Sequence, residues 1–316
     1  MAVIKKFRIK SFKNLEPIVE FENVSLAYGN RLILDNINFK INKGEIVGFL
    51  GPNGAGKSTT MKIISCYVNP TSGEVLVNGN SIKRNPIKIK NELGYLPENN
   101  PLYDDMYVVE FLSFIAQIHK IKDVKQAVNE VIEKVGLKKE AHKKIHQLSK
   151  GYQQRIGIAQ AIIHNPKVLI LDEPTSGLDP NQLEEIRSLI KELGKDKTVM
   201  LSTHIMQEVE SICDRIIIIN NGEMVADQNL EKQISSNQKE QIISVEFDQK
   251  ISKEKLLQIA DNIKIKKAES KWIIGYKGDD DLRILISAFA QKNEIFILEI
   301  KKHSDKLEDL FKKLTK

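Results

Sequence analysis

Stretches at Ile18–Phe21, Ile41–Phe49, Val168–Leu171, Thr198–Ser202 and Arg215–Asn220 look like strands, and the densest of them are short, rich in branched residues and flanked by polar ones. Runs of this length predict strands, and the densest of them, Val168–Leu171 and Ile216–Ile219, read as strands of a parallel sheet buried on both faces. Tyr28–Asn30 reads as a turn between the first two runs. After Glu45–Leu50 the chain enters a glycine-rich turn, and helical spacing begins at Lys57. From about Ile87 to Asn165 the pattern changes. Val108, Phe111, Leu112, Ile115 and Ile118 recur at three- and four-residue steps, the mark of an amphipathic helix. A second such helix carries Ile156, Ala159, Ile162 and Ile163. This block predicts a mostly helical insertion inside an α/β domain. A helix over Asn181–Leu193 separates two of the later strands, the alternation a crossover-built sheet requires.

Beyond about Leu230 the chain turns polar, and Glu231–Gln241 reads as a linker. Strands are expected near Ile242–Phe247, Ile263–Lys267, Lys271–Tyr276 and Ile295–Ile300. Helices are expected near Lys253–Ala260, Leu282–Gln291 and Asp305–Leu314. The order β-α-β-β-α-β-α predicts a small ferredoxin-like α+β domain. The expected organisation is therefore a basic extension over residues 1–16, a large α/β domain over 17–235 with a helical part at about 88–165, and an accessory domain over 241–316.

Composition adds exclusions. At 316 residues the chain suits a large domain plus a smaller one, and its 41% hydrophobic and 28% charged residues are ordinary for a globular protein. No apolar run approaches the roughly 18–20 residues that span a bilayer. The basic start leads into no apolar segment of a signal peptide. Two cysteines, Cys66 and Cys213, fit a reducing cytoplasm better than a disulfide framework. The net charge of +6 is spread along the whole chain, so nucleic acid is not expected as a partner. Lys5 to Lys13 holds five basic residues and no acid, which suits either a solvated extension or contact with anionic lipid headgroups.

Gly51-Pro52-Asn53-Gly54-Ala55-Gly56-Lys57-Ser58, followed by Thr59, matches G-x-x-x-x-G-K-[ST] between an apolar strand and a helix start. In such a P-loop the backbone N–H groups wrap phosphates, the lysine reaches the β- and γ-phosphates, and the serine binds Mg²⁺. This motif leaves kinases, GTPases and ATPases open. Val168-Leu-Ile-Leu-Asp172-Glu173 ends an apolar strand in two carboxylates, costly unless they meet a cation or do chemistry. Asp172 is placed to hold Mg²⁺, directly or through water, and Glu173 to polarise an attacking water as general base. In isolation such a pair would read as a cap or a solvated turn.

Leu148-Ser149-Lys150-Gly151-Tyr152-Gln153-Gln154-Arg155 resembles the LSGGQ-type signature of ABC ATPases, departing from it at Lys150 and Tyr152. With the P-loop and the acidic strand end, it identifies the chain as similar to ATP-binding subunits of ABC transporters over about Pro17 to Leu230. The resemblance implies a P-loop NTPase fold of mixed sheet plus helical subdomain. It implies that Ser176-Gly-Leu-Asp179 is the loop crossing between subunits, and that His204 in Ser202-Thr-His204 is the switch histidine at the γ-phosphate. Tyr28 matches the aromatic that stacks on adenine, against the alternative of a core or surface tyrosine. Glu98 in Gly94-Tyr-Leu-Pro-Glu98 stands where the family usually has a glutamine that touches Mg²⁺.

ATP in this family lies between the P-loop of one subunit and the signature of another. A homodimer, or a heterodimer with a second ATP-binding subunit, is therefore implied, with transmembrane permease subunits as partners at the cytoplasmic face of the cell membrane. Tyr95 to Tyr107, the signature and Ser202 to Val209 most resemble the gliding-motility-associated subunits of the ABC-2 exporter group, while Ile33 to Asn38 resembles lipopolysaccharide-export ATPases. The alternative is a soluble ABC ATPase acting on ribosomes or nucleic acid. Such proteins usually carry two nucleotide-binding halves or long coiled-coil insertions, and this chain has neither.

Overall fold

The computed structural model describes residues 16–230, 241–268, 270–278, 280–303 and 311. The expected basic extension (apart from residue 16), the linker (apart from its last residue) and the helix Asp305–Leu314 (apart from Phe311) lie outside the described residues. The chain divides into two compact units at Asp227/Gln228.

In the first unit, β1 (Pro17–Tyr28) and β2 (Arg31–Asn42) form a hairpin, and β1 also pairs with β4 (Ser72–Val77), which pairs with β5 (Asn80–Ser81). The order of this antiparallel sheet is β2-β1-β4-β5. The expected continuous strand Ile41–Phe49 is not one strand: β2 ends at Asn42, and β3 (Ile46–Leu50) belongs to a second sheet. Gly44 turns the chain there at φ +76°. The Glu45 carboxylate closes the turn by accepting from the Asn42 backbone (3.0 Å) and side-chain amide (2.9 Å). Phe39 stacks on Phe21 (4.4 Å between ring centroids) and lies 5.9 Å from Phe49, tying the two sheets into one core.

The second sheet runs β10-β9-β3-β8-β7-β6, with β6 (Leu93–Leu96), β7 (Val168–Asp172), β8 (Thr198–Thr203), β9 (Arg215–Asn220) and β10 (Glu223–Asn229). From β9 to β6 its pairs are parallel. Strands β3, β7 and β8 are buried at every position, which is why apolar residues dominate them. Helix α6 (Pro180–Leu193) connects β7 to β8 and α7 (Met206–Ile212) connects β8 to β9, while α1 (Lys57–Ile64) leads from β3 to β4 of the first sheet.

The block predicted as helical holds α2 (Pro86–Glu92), α3 (Val108–Ile118), α4 (Val124–Lys134) and α5 (Lys150–Ile162), but β6 interrupts it. Four residues are too few to set a strand period. What fixes β6 is Gly94, where a Cβ would lie 2.0 Å from the carbonyl oxygen of Ala161, so β6 and α5 meet backbone to backbone.

His119, at the end of α3, stacks on His164, just past α5, with ring centroids 3.9 Å apart. Burial, with the neighbouring imidazole second, lowers the His164 pKa to about 4. The unfolded chain therefore takes up a proton near pH 6.5 that the folded chain refuses until about pH 4, and stability falls as pH drops through that window. His164→Phe keeps the stacking and removes the titration. The expected result is a flatter dependence of Tm on pH between 6.5 and 4 than in the parent chain.

The second unit holds β11 (Gln241–Phe247), α8 (Lys253–Leu256), β12 (Ile263–Ala268), β13 (Lys271–Tyr276), α9 (Leu282–Lys292) and β14 (Ile297–His303). Its sheet order is β12-β13-β11-β14, antiparallel throughout, the split β-α-β-β-α-β arrangement. Ile243, Val245, Ile274, Leu282 and Ile286 form its core. No helix among the described residues is long and apolar enough to cross a membrane.

Candidate functional site

The P-loop leaves β3 at Gly51 and enters α1 at Lys57. Two glycines are required by geometry. A Cβ at Gly51 would lie 2.4 Å from the carbonyl oxygen of Ile219, and Gly56 caps α1 at φ +109°, with its missing Cβ 2.5 Å from Leu34 Cδ2. Lys57 is buried, and its ammonium donates to the carbonyls of Gly51 (2.8 Å) and Pro52 (3.3 Å). These are neutral acceptors on the inner side of the loop, so its charge is not cancelled by a carboxylate.

A cleft of about 410 Å³ opens over this loop. Asn53, Gly54 and Gly56 to Thr59 line it, together with Glu98, Glu173, Arg31 and Ile33. Ala55 is buried beneath, its N–H bonded to the Pro52 carbonyl (3.2 Å).

Parallel pairing of β7 with β8 sets Asp172 opposite Ser202. Ser58 donates to Asp172 Oδ1 (3.2 Å), and the Ser202 hydroxyl makes a short bond to the same oxygen. Ser202 Oγ also accepts the Glu173 N–H (3.0 Å). This serine, named in the sequence only as a neighbour of His204, therefore fixes both acids. Only the strand register reveals it, because Asp172 and Ser202 lie 30 positions apart.

Glu173 is buried and sits at φ +49°, a left-handed conformation that costs a non-glycine residue energy and marks a constrained position. Its Oε2 accepts from His204 Nδ1 at 3.0 Å. Burial pushes the Glu173 carboxyl above the ordinary carboxylate range, while the His204 hydrogen bond and the Lys57 charge pull part of the way back. A carboxylate so placed gains by taking a proton, and the histidine bonded to it is 58% exposed and faces outward.

Other expected residues lie elsewhere. Tyr28, at the end of β1, is 54% exposed and does not line the cleft, although its strand partner Arg31 does. Ser149 caps α5, and Gly151 presses on Gln182, where a Cβ would come within 2.5 Å. Gln182 Nε2 reaches Ser149 Oγ at 3.5 Å. Asp179 caps α6, accepting from the N–H groups of Asn181 (3.0 Å) and Gln182 (2.9 Å). Ser149, Gly151 and Asp179 thus gather at the starts of α5 and α6, and none lines the cleft. Arg31 and Ile33 do line it and were not foreseen. Only the β1–β2 hairpin, folding over the loop, brings them there.

The family described as ABC transporter matches residues 34–176. The chain is 34% identical over 308 residues to the ABC transporter ATP-binding protein YhcH of Bacillus subtilis, covering 95% of this chain and 97% of that one. It is 31% identical over 317 residues to the bacitracin transport ATP-binding protein BcrA of Bacillus licheniformis, covering 95% and 98%. Its fold resembles the dimeric post-hydrolysis structure of the ATP-binding cassette MJ0796 bound to ADP and Pi, with TM-score 0.62 and 31% identity over 67% of this chain and 98% of that one. With the P-loop and Glu173 lining one cleft, Asp172 bonded to Ser58, His204 bonded to Glu173, and relatives matching end to end, the chain belongs to the ABC transporter family as an ATP-binding, ATP-hydrolysing subunit.

Proposed function

We propose that two copies of this chain, or one copy and a related subunit, close on ATP and drive separate transmembrane permease subunits at the cytoplasmic face of the cell membrane. The observation that carries this reading is the separation of the signature from the cleft. Ser149 and Gly151 lie outside the pocket lined by Lys57, Ser58 and Glu173, so the pocket has the helix start of α1 but not that of a signature, which a second subunit would bring.

In each site the backbone from Gly51 to Thr59 wraps the phosphates, Lys57 meets the β- and γ-phosphates, and Tyr28 stacks on the base. Ser149 and Gly151 of the second subunit face the γ-phosphate, and Asp179 lies in the loop between the two sites. Glu173 accepts the proton of the attacking water, and His204 contacts the γ-phosphate. The donor set fits Mg²⁺: the Ser58 hydroxyl and the Asp172 carboxylate are hard oxygen ligands 3.2 Å apart, and the Glu98 carboxylate lines the same cleft. Bound there, the ion would neutralise phosphate charge.

Residues 17–235 form the ATP-binding domain in this reading, with its helical subdomain at about 88–165, and 241–316 form an accessory domain. Full-length similarity to a bacitracin transport subunit supports a transport role, while export as the direction rests on the resemblance to the ABC-2 group. The gliding-motility subgroup rests on the motif resemblance alone. The test is to purify tagged Glu173→Gln chain with ATP from detergent-solubilised membranes of its host. Multi-span membrane proteins should accompany it. Ribosomal proteins or nucleic acid, with no membrane protein, would overturn the transport reading and leave the ATPase.

A further inference from the structure

Five residues past Thr203, on the first turns of α7, Glu208 is fully buried. Its Oε2 accepts from the Thr203 hydroxyl at 2.7 Å, while its Oε1 has no hydrogen-bond partner. No ion pair to Glu208 is present among the described residues. A buried carboxylate without a counter-ion is a poor way to fill space, since an apolar side chain of similar volume would avoid the desolvation cost. Its presence calls for a reason other than packing.

The reason lies in what it holds. The Thr203 O–H donates to the Glu208 carboxyl group. That fixes the Thr203 rotamer and leaves a lone pair for the Ile205 N–H, which donates to Thr203 Oγ1 at 3.1 Å. The Glu208 N–H in turn donates to the Ile205 carbonyl at 3.1 Å. The turn from Thr203 to Glu208 is thereby cross-tied, and His204 sits inside it. His204 is itself 58% exposed, so packing does little to hold its ring. Its direction is set by this turn and by the 3.0 Å bond to Glu173.

We infer that Glu208 is a positioning residue for hydrolysis: acting through Thr203, it sets the turn that aims His204 at Glu173 and at the γ-phosphate. The inference rests on the proposed roles of Glu173 and His204. The Glu208–Thr203 bond, buried at the end of β8, ties that turn to the carboxyl ends of β7 and β8, where Asp172 and Ser202 meet.

The test measures kcat, KM and equilibrium ATP binding for Glu208→Leu, Thr203→Val, Glu208→Gln and His204→Ala, and for Glu208→Leu combined with His204→Ala. Glu208→Leu and Thr203→Val should each lower kcat about 10-fold or more, with ATP affinity within about 2-fold, because small misplacement of a reacting group is costly. Glu208→Gln keeps an acceptor for Thr203 and should recover most of the lost rate. In the His204→Ala background, Glu208→Leu should lower kcat no further, as expected of residues acting as one unit. A further loss in that background, or a loss of ATP binding at unchanged kcat, overturns the positioning role while leaving His204 in place. Unchanged kcat in His204→Ala alone overturns the histidine assignment and this inference with it. If Glu208→Leu does not fold, Thr203→Val carries the same comparison.

Discussion

Replacing Glu173 with glutamine is expected to lower steady-state ATP hydrolysis by about 10²–10⁴-fold, the usual contribution of a general base, while ATP binding persists. The substitution keeps the side chain's shape and an acceptor for His204, and removes only the capacity to take a proton. A second consequence follows from burial. Because folding raises the Glu173 pKa, the native chain holds that proton more tightly than the unfolded chain does. Above the raised value the ionised carboxylate therefore costs the folded state stability. Glu173→Gln should unfold at a higher temperature than the parent at neutral pH, and the gain should vanish as pH falls through the raised pKa towards the ordinary value of 4.5. Activity of the parent should fall over the same acidic window as the base becomes protonated. A rate left intact by Glu173→Gln would remove the residue from the mechanism.

Lys57→Ala is expected to weaken ATP binding by about 10- to 150-fold, from the roughly 1.5–3 kcal/mol of a hydrogen bond to a charged group. The fold should survive, because the Lys57 ammonium bonds only to the neutral carbonyls of Gly51 and Pro52, and its loss strands no buried counter-charge. Titration of nucleotide into the variant, beside a circular dichroism spectrum matching the parent, checks both halves. Undiminished affinity would count against the assignment of the phosphate cradle.

The P-loop was readable in the sequence because its function is contiguous. Gly51 to Ser58 form one stretch between β3 and α1, so the whole motif falls within one turn. Asp172 and Glu173 stood out because an apolar run ending in two acids follows a P-loop and a signature-like segment; alone, the pair would have read as a cap or a solvated turn. Ser202 was not readable as a partner of both, since that follows from the β7–β8 register and not from spacing. Arg31 and Ile33 escaped notice for the same reason, as the hairpin places them over the loop from another sheet. Within the fold, β3, β7, β8 and β9 declared themselves by being buried on both faces. Strand β6 did not, because its place depends on a glycine contact with α5. The break between β2 and β3 falls in the polar run Asn42-Lys43-Gly44-Glu45, and the turn closed by Glu45 separates the two strands that the expected Ile41–Phe49 joined. Helix α4, capped by Asp123, carries a narrower apolar stripe than α3 and passed unremarked.

The central claim is that ATP is sandwiched between the P-loop of one chain and the signature of another. It is tested by mixing two variants, Lys57→Ala and Ser149→Arg, each expected to be nearly inactive alone. A mixed dimer contains one site that joins an intact P-loop to an intact signature. If the composite site is real, the mixture should recover a substantial share of the parent's ATP hydrolysis, falling as either variant is diluted into excess of the other. If the mixture stays as inactive as its components, while both chains are folded and associate, the site is not shared between subunits and the account of its mechanism is wrong.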